Sequence, residues 1–107
     1  MTSFTIYDLE RRVAERAGAD PETSYTRKLL DRGVGQCAKK FGEEAVETVL
    51  AAVAEERGRL IGETADLLYH LLVMLRARGV TLAEVERALG ERTVRSGLDE
   101  KAARKLD

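Results

Sequence analysis

Tryptophan is absent, proline, cysteine and histidine occur once each, and aromatic residues make up only 5% of the 107-residue chain. So little aromatic and turn-forming material argues against an all-β fold, whose strands and tight turns need both. The lone Cys37 cannot close an intrachain disulfide, so no disulfide framework holds the chain together. Charge of one sign is missing as well. Eighteen basic residues against 19 acidic ones leave a net charge of −1, and no global basic field points to nucleic acid or a membrane surface. The longest apolar run, Leu67 to Leu75, is interrupted by His70 and is too short to span a bilayer. Nothing after Met1 reads as a signal peptide. The expectation is a soluble, cytoplasmic protein with neither nucleic-acid nor membrane partners.

What is present forms helices. A chain that is 44% hydrophobic and 35% charged is too apolar to be disordered. Its length suits one domain over residues 1–107, with an adequate but thin core. Punctuation divides the sequence into about five helices. The first runs from about Thr5 to Ala17, with Ile6, Leu9 and Val13 on one stripe, Thr5 and Asp8 as caps and Gly18 at its close. The segment from Gly18 to Thr23 holds the only proline and reads as a loop. Ser24 reads as the N-cap of a short helix through Leu30, stopped by Gly33 and Gly35. A third helix spans about Gln36 to Arg57, with Gly58 marking its end, and a fourth runs from Leu60 to about Arg78, ended by Gly79. So tight a connection makes these two an antiparallel pair. Thr81 and Glu84 form a capping box for a fifth helix reaching about Leu89. The charged tail from Arg92 to Asp107 reads either as a last helix or as partly disordered. The predicted fold class is an all-α bundle.

The chemistry lies in where the carboxylates fall. Glu43, Glu44 and Glu47 occupy the third helix as Glu-Glu-x-x-Glu, and Glu63 and Asp66 the fourth as Glu-x-x-Asp. Residues three apart are neighbours on a helix, so Glu44 with Glu47 and Glu63 with Asp66 form two carboxylate pairs. Antiparallel packing lets the pairs converge across the groove, where their repulsion calls for a hard divalent cation. Oxygen-only ligation selects Mg²⁺ or Mn²⁺ over zinc. The plain alternative is a solvated acidic face, with Lys39 and Lys40 pairing to Glu43 and Glu44. It is weaker for the fourth helix, where Leu67 to Leu75 leaves no polar side of ordinary width and implies burial almost all round. The Asp66 carboxylate is therefore expected in a covered cleft, where it needs a partner. No Lys or Arg stands four residues after any of the five acids. Five or six modest helices can hardly enclose such a helix alone, which favours a homodimer. His70 shares the side of Asp66 and Glu63 and could ligate metal or act as a base, though a satisfied interior histidine explains it more simply.

Glu-Glu-x-x-Glu followed after 15 residues by Glu-x-x-Asp resembles the metal motif of the all-α nucleoside triphosphate pyrophosphatases. Four collinear blocks narrow the resemblance to the phosphoribosyl-ATP pyrophosphatases: Gly18 to Thr26, Lys39 to Val49, Ala65 to Leu72, and Ser96 to Lys101. Gln36-Cys37-Ala38 departs from the more aliphatic stretch expected before the double lysine, without touching an acidic position. The resemblance implies a Mg²⁺-dependent, cytoplasmic, helical dimer. It implies hydrolysis of phosphoribosyl-ATP to phosphoribosyl-AMP and pyrophosphate, the second step of histidine biosynthesis. It also implies a stand-alone form, since the chain lacks the cysteine–histidine zinc set of the cyclohydrolase fused to this activity elsewhere.

In that scheme Glu44, Glu47, Glu63 and Asp66 hold Mg²⁺, in one or more ions, and Glu43 orients or deprotonates the attacking water. Lys40 follows the same face as Glu44 and Glu47 and is the first choice for a phosphate contact. Lys39, Arg27, Lys28 and Arg32 are further cations nearby in sequence. Each of these can equally be an ordinary surface charge. Ser24, Tyr25 and Thr26 carry hydroxyls at a helix start, where anions bind readily; a plain N-cap explains Ser24 equally well, and the family resemblance is what brings the trio to the substrate. Lys101 and Arg104 lie one turn apart and could reach a partner subunit's substrate, or belong to a solvated tail. Two rivals remain at this stage. One is another enzyme of the same superfamily, acting on canonical or damaged nucleoside triphosphates. The other is a non-catalytic helical dimerisation module whose acids serve salt bridges.

Overall fold

The computed structural model describes residues 3–93 together with Lys101 and Arg104. The tail read from Arg92 onward therefore lies largely outside the described residues. Within residues 3–93 five helices follow in order: α1 (Ile6–Ala17), α2 (Tyr25–Asp31), α3 (Val34–Ala54), α4 (Arg57–Ala77) and α5 (Leu82–Thr93). No strand occurs among the described residues. The all-α class is borne out.

Local chemistry explains the boundaries. At α1 the Thr5 hydroxyl accepts from the Asp8 amide while the Asp8 carboxylate accepts from the Thr5 amide at 2.8 Å, a reciprocal cap that satisfies two otherwise orphaned donors. Ser24 caps α2 by accepting from the Arg27 amide and donates its own proton to the Arg16 carbonyl at 2.8 Å, tying α2 to the end of α1. Gly33, at φ +93°, makes the left-handed turn between α2 and α3. Gly35, expected to help stop α2, instead sits in the first turn of α3.

The break between the two long helices comes earlier than the glycine signal suggested. It falls at Glu55 and Glu56, whose extended backbone separates α3 from α4, and Gly58 lies inside the first turn of α4. Acidic residues just before a helix start favour its positive end, and Glu55 accepts a hydrogen bond from Arg59 at 3.2 Å. A glycine costs less in a first turn, where amides are unpaired in any case, than in a helix interior. Helix α5 runs one turn past Leu89, to Thr93.

Helices α3 and α4 form the antiparallel hairpin, and α1 and α2 cover one half of it. The core is Val13 of α1, Leu29 of α2, Cys37 of α3 and Leu72 and Val73 of α4. Helix α1 meets the C-terminal half of α4, where Val13 and Ala14 face Leu72 and Leu75. Much of the Leu67–Leu75 run is thereby covered within the chain, with His70, Leu72 and Val73 buried. Leu68 of that run stays exposed, and the largest open apolar stripe lies along α3 at Val46, Val49, Leu50 and Val53, with Ile61 of α4 also exposed. Helix α5 buries no residue of its own, although Leu82 reaches the core and its amide donates to the Glu10 carboxylate at 2.8 Å.

Candidate metal centre and substrate site

The half of the hairpin that α1 and α2 leave uncovered carries the acidic pairs. Glu44 of α3 with Glu63 and Asp66 of α4 each present one carboxylate oxygen, and these oxygens all lie within 4.8 Å of one another. The Oε2 atoms of Glu44 and Glu63 are buried and meet no hydrogen-bond donor among the described residues. Buried carboxylate oxygens without a donor are costly unless a cation meets them. The oxygen-only donor set fits a hard divalent ion such as Mg²⁺ or Mn²⁺.

The electrostatics agree. Burial pushes the Glu44 carboxyl above its ordinary range, helped by the neighbouring Glu47, Asp66 and Glu63. Burial and the charge of Glu47 do the same to Glu63, while Arg59 pulls it back. Glu47 thus lies against both of the raised carboxyls, although it is exposed and outside the tight group of three. One side chain spans the hairpin behind this cluster: the Thr48 hydroxyl lies 2.8 Å from the Glu44 carbonyl and 3.1 Å from the Glu63 carbonyl.

Several expectations need correction. Asp66 is exposed, not set in a covered cleft, because α1 and α2 reach only the far half of α4. The covered carboxylate is Glu63, whose side chain is 12% exposed. Glu63 also has a counter-ion, since Arg59 Nη2 sits 3.2 Å from its Oε1. That arginine stands four residues before Glu63, on the opposite side in sequence from the positions following the acids. Lys40 pairs with Glu43 at 3.3 Å, three residues on and not four. His70 is interior at 6% exposure, but its Nδ1 is buried with no hydrogen-bond partner among the described residues. It is not the satisfied core histidine of the simpler reading. Burial and the charge of Lys40 hold its imidazole below the ordinary range.

The remaining candidates divide. Lys40 lies near Glu43, Glu44 and Tyr25, and the carboxylate of Glu43 above all holds its ammonium in the charged form. Ser24 and Thr26 are buried, with the Ser24 hydroxyl engaged by Arg16 and Arg27 and the Thr26 hydroxyl by that of Tyr69. Tyr25 is the open member of that trio. Glu43, Lys39 and Lys28 are exposed, Lys28 on α2. Arg27 is taken up by Asp31 and the Ala19 carbonyl. Lys101 and Arg104 are both helical and exposed. Thr48 and Arg59 are the two residues of the site that the sequence reading missed. A threonine four residues after Glu44 and an arginine four before Glu63 were the available signals.

Two long antiparallel helices that converge acidic pairs on an oxygen-only centre define an all-α, carboxylate-cluster protein. Comparison with known proteins narrows this class. Residues 6–93 match the family model described as phosphoribosyl-ATP pyrophosphohydrolase. The chain is 65% identical over 105 residues to phosphoribosyl-ATP pyrophosphatase 1 of Bradyrhizobium diazoefficiens, covering 98% of this chain and 99% of that one. It is 61% identical over 107 residues to phosphoribosyl-ATP pyrophosphatase 1 of Rhodopseudomonas palustris, covering the whole of both. A phosphoribosyl-ATP pyrophosphatase of Paracoccus denitrificans is 58% identical over 100 residues, or 94% of this chain and 93% of the relative. The chain belongs to the phosphoribosyl-ATP pyrophosphohydrolase family. Among the described residues no helix is long and apolar enough to cross a membrane.

Proposed function

We propose that this chain hydrolyses phosphoribosyl-ATP to phosphoribosyl-AMP and pyrophosphate, as a cytoplasmic homodimer acting at the second step of histidine biosynthesis. Family membership supports the substrate. The observation that carries the chemistry is the cluster of Glu44, Glu63 and Asp66 oxygens within 4.8 Å, two of whose carboxylates keep a buried, unpartnered oxygen. These three residues, with Glu47 beside them, would hold Mg²⁺ or Mn²⁺. Such an ion neutralises charge on a triphosphate and on departing pyrophosphate.

The chain's own groups do the rest. Lys40, at the end of the acidic face and already paired to a carboxylate, offers its ammonium to a phosphate oxygen. Glu43, exposed and paired with Lys40 at 3.3 Å, is our candidate to orient the attacking water and take its proton. The water oxygen bonds to one phosphorus of the α–β anhydride, the anhydride P–O bond breaks, and pyrophosphate leaves. Cys37, the only thiol, is buried and donates to the Leu29 carbonyl, so direct attack by water is the simpler course. The open Val46, Val49, Leu50 and Val53 stripe supports the dimer, because a contiguous apolar face on a small protein marks an interaction surface.

The test is pyrophosphate release from phosphoribosyl-ATP with and without Mg²⁺, with ATP and dCTP as competing substrates. Metal-dependent release with a clear preference for phosphoribosyl-ATP is expected. Equal turnover of dCTP would move the chain to a neighbouring activity of the superfamily.

A further inference from the structure

One turn along the hairpin from the carboxylates, three rings meet. Tyr25 and Tyr69 stack with centroids 6.4 Å apart and planes 23° from parallel. His70 stands nearly perpendicular to both, 6.2 Å from Tyr25 and 5.0 Å from Tyr69. Two of the rings are fixed: Tyr69 by its hydroxyl bond to Thr26 and His70 by burial. The third is open, with Tyr25 52% exposed. In a chain so poor in aromatics, a rigidly backed yet exposed ring beside the reactive cluster calls for an explanation.

Its surroundings supply one. Lys40 lies within electrostatic reach of both Tyr25 and His70 and hydrogen-bonds to Glu43, so the ring block flanks the end of the acidic face where phosphate is expected. The unpartnered Nδ1 of His70 belongs to a ring in contact with Tyr25, which leaves a buried polar atom unsatisfied beside the open ring. A flat, apolar, preorganised surface next to a phosphate-binding cation suits a nucleobase, which stacks on aromatic faces through its own π-system.

We propose that the Tyr25 ring, backed by Tyr69 and His70, is the stacking platform for the purine of the bound nucleotide. The inference rests on the hydrolase reading for the identity of that nucleotide, and gives Tyr25 a role through its ring, not its hydroxyl. The purine lies remote from the bond that breaks, so stacking acts alike on bound substrate and transition state. It therefore lowers KM and leaves kcat nearly unchanged.

Tyr25→Leu removes the ring and keeps apolar bulk; Tyr25→Phe keeps the ring and removes the hydroxyl. Tyr25→Leu should raise KM for phosphoribosyl-ATP about tenfold, within the usual cost of losing one base–aromatic stack, with kcat within about twofold. Calorimetric titration with AMP, without divalent ions, should show a similar loss of affinity. Tyr25→Phe should match the parent protein in both, and melting temperatures should confirm that all forms fold. Unchanged KM and AMP affinity in Tyr25→Leu would overturn the platform while leaving the hydrolase reading intact. Equal defects in Tyr25→Phe would also overturn it, by assigning the effect to the hydroxyl. Ring-dependent AMP binding in a protein that releases no pyrophosphate from phosphoribosyl-ATP would support the platform and sink the hydrolase reading.

Discussion

Thr48 on α3 holds its hydroxyl 3.1 Å from the carbonyl of Glu63 on α4, tying the backbones behind two of the three clustered carboxylates. The same oxygen lies 2.8 Å from the Glu44 carbonyl. Thr48→Val keeps the shape and deletes the only group that can make either bond. Apparent Mn²⁺ affinity should fall about tenfold, the scale of outer-shell perturbations at metal sites, and Thr48→Ser should restore it. Calorimetric Mn²⁺ titration of the three proteins checks this. Equal affinity in Thr48→Val would reduce the contact to a helix-packing detail.

Asp66→Asn removes one charge from the cluster and keeps the size of the side chain. Activity or metal affinity should drop at least about tenfold. The metal-free protein should melt no lower than its parent, since Asp66 is exposed and its charge helps to raise both Glu44 and Glu63. A salt-bridge role predicts the opposite pairing, with lost stability and intact Mg²⁺ dependence. Measuring melting temperature and Mg²⁺-dependent turnover on the same variant separates the two.

The raised Glu44 carboxyl makes a pH prediction with a definite sign. Its proton is held more tightly in the folded chain than in the unfolded one. Its favourable contribution is therefore complete below the ordinary carboxylate range and is lost as pH rises through the elevated folded value. Glu84, lowered by its cap to Thr81, and His70, lowered by burial, act in the opposite direction. The difference between wild type and Glu44→Gln cancels both. Urea denaturation without metal should show the variant gaining on wild type as pH rises from about 4 to 7. Because a ligating carboxylate must be ionised, Mg²⁺ should stabilise the wild type more at the upper end of that range.

Val53 is 82% exposed at the end of the α3 stripe formed with Val46, Val49 and Leu50. If a second copy covers this face, Val49→Glu should shift sedimentation from dimer to monomer at micromolar concentration. A parent protein that already sediments as a folded monomer would remove the argument.

The helices and the acidic pairs were legible because both follow from local spacing. Caps at Thr5, Ser24 and Thr81 depend on side chains reaching amides three residues away, and an offset of three puts Glu44 beside Glu47 whatever the tertiary packing. Three kinds of detail were not legible. The exposure of Asp66 does not follow from the sequence, because a helix's apolar run says how much surface needs covering but not which neighbours do so along its length. Covering from α1 and α2 reaches only the C-terminal half of α4 and leaves Asp66 open, while Glu63 is enclosed on the α3 side, where Thr48 meets its carbonyl. Contacts across the hairpin, Thr48 to Glu63 above all, require a register that the sequence does not state. The helix break at Glu55 shows the third limit. Gly58 was the stronger stop signal by residue type, yet the acidic pair before a helix start prevailed.

The two-residue connection between α3 and α4 also bears on how the chain acquires its site. All four metal-binding candidates, Lys40 and His70 fall within one uninterrupted helical hairpin, so their assembly needs only a short loop closure. A short closure of this kind costs little chain entropy, so the hairpin is expected to form before α1 and α2 dock. The mutually repelling carboxylates would then meet before α1 and α2 have docked to support them. A divalent ion supplied during refolding would act on that nascent hairpin, making the cation a participant in the chain's maturation as well as in its chemistry.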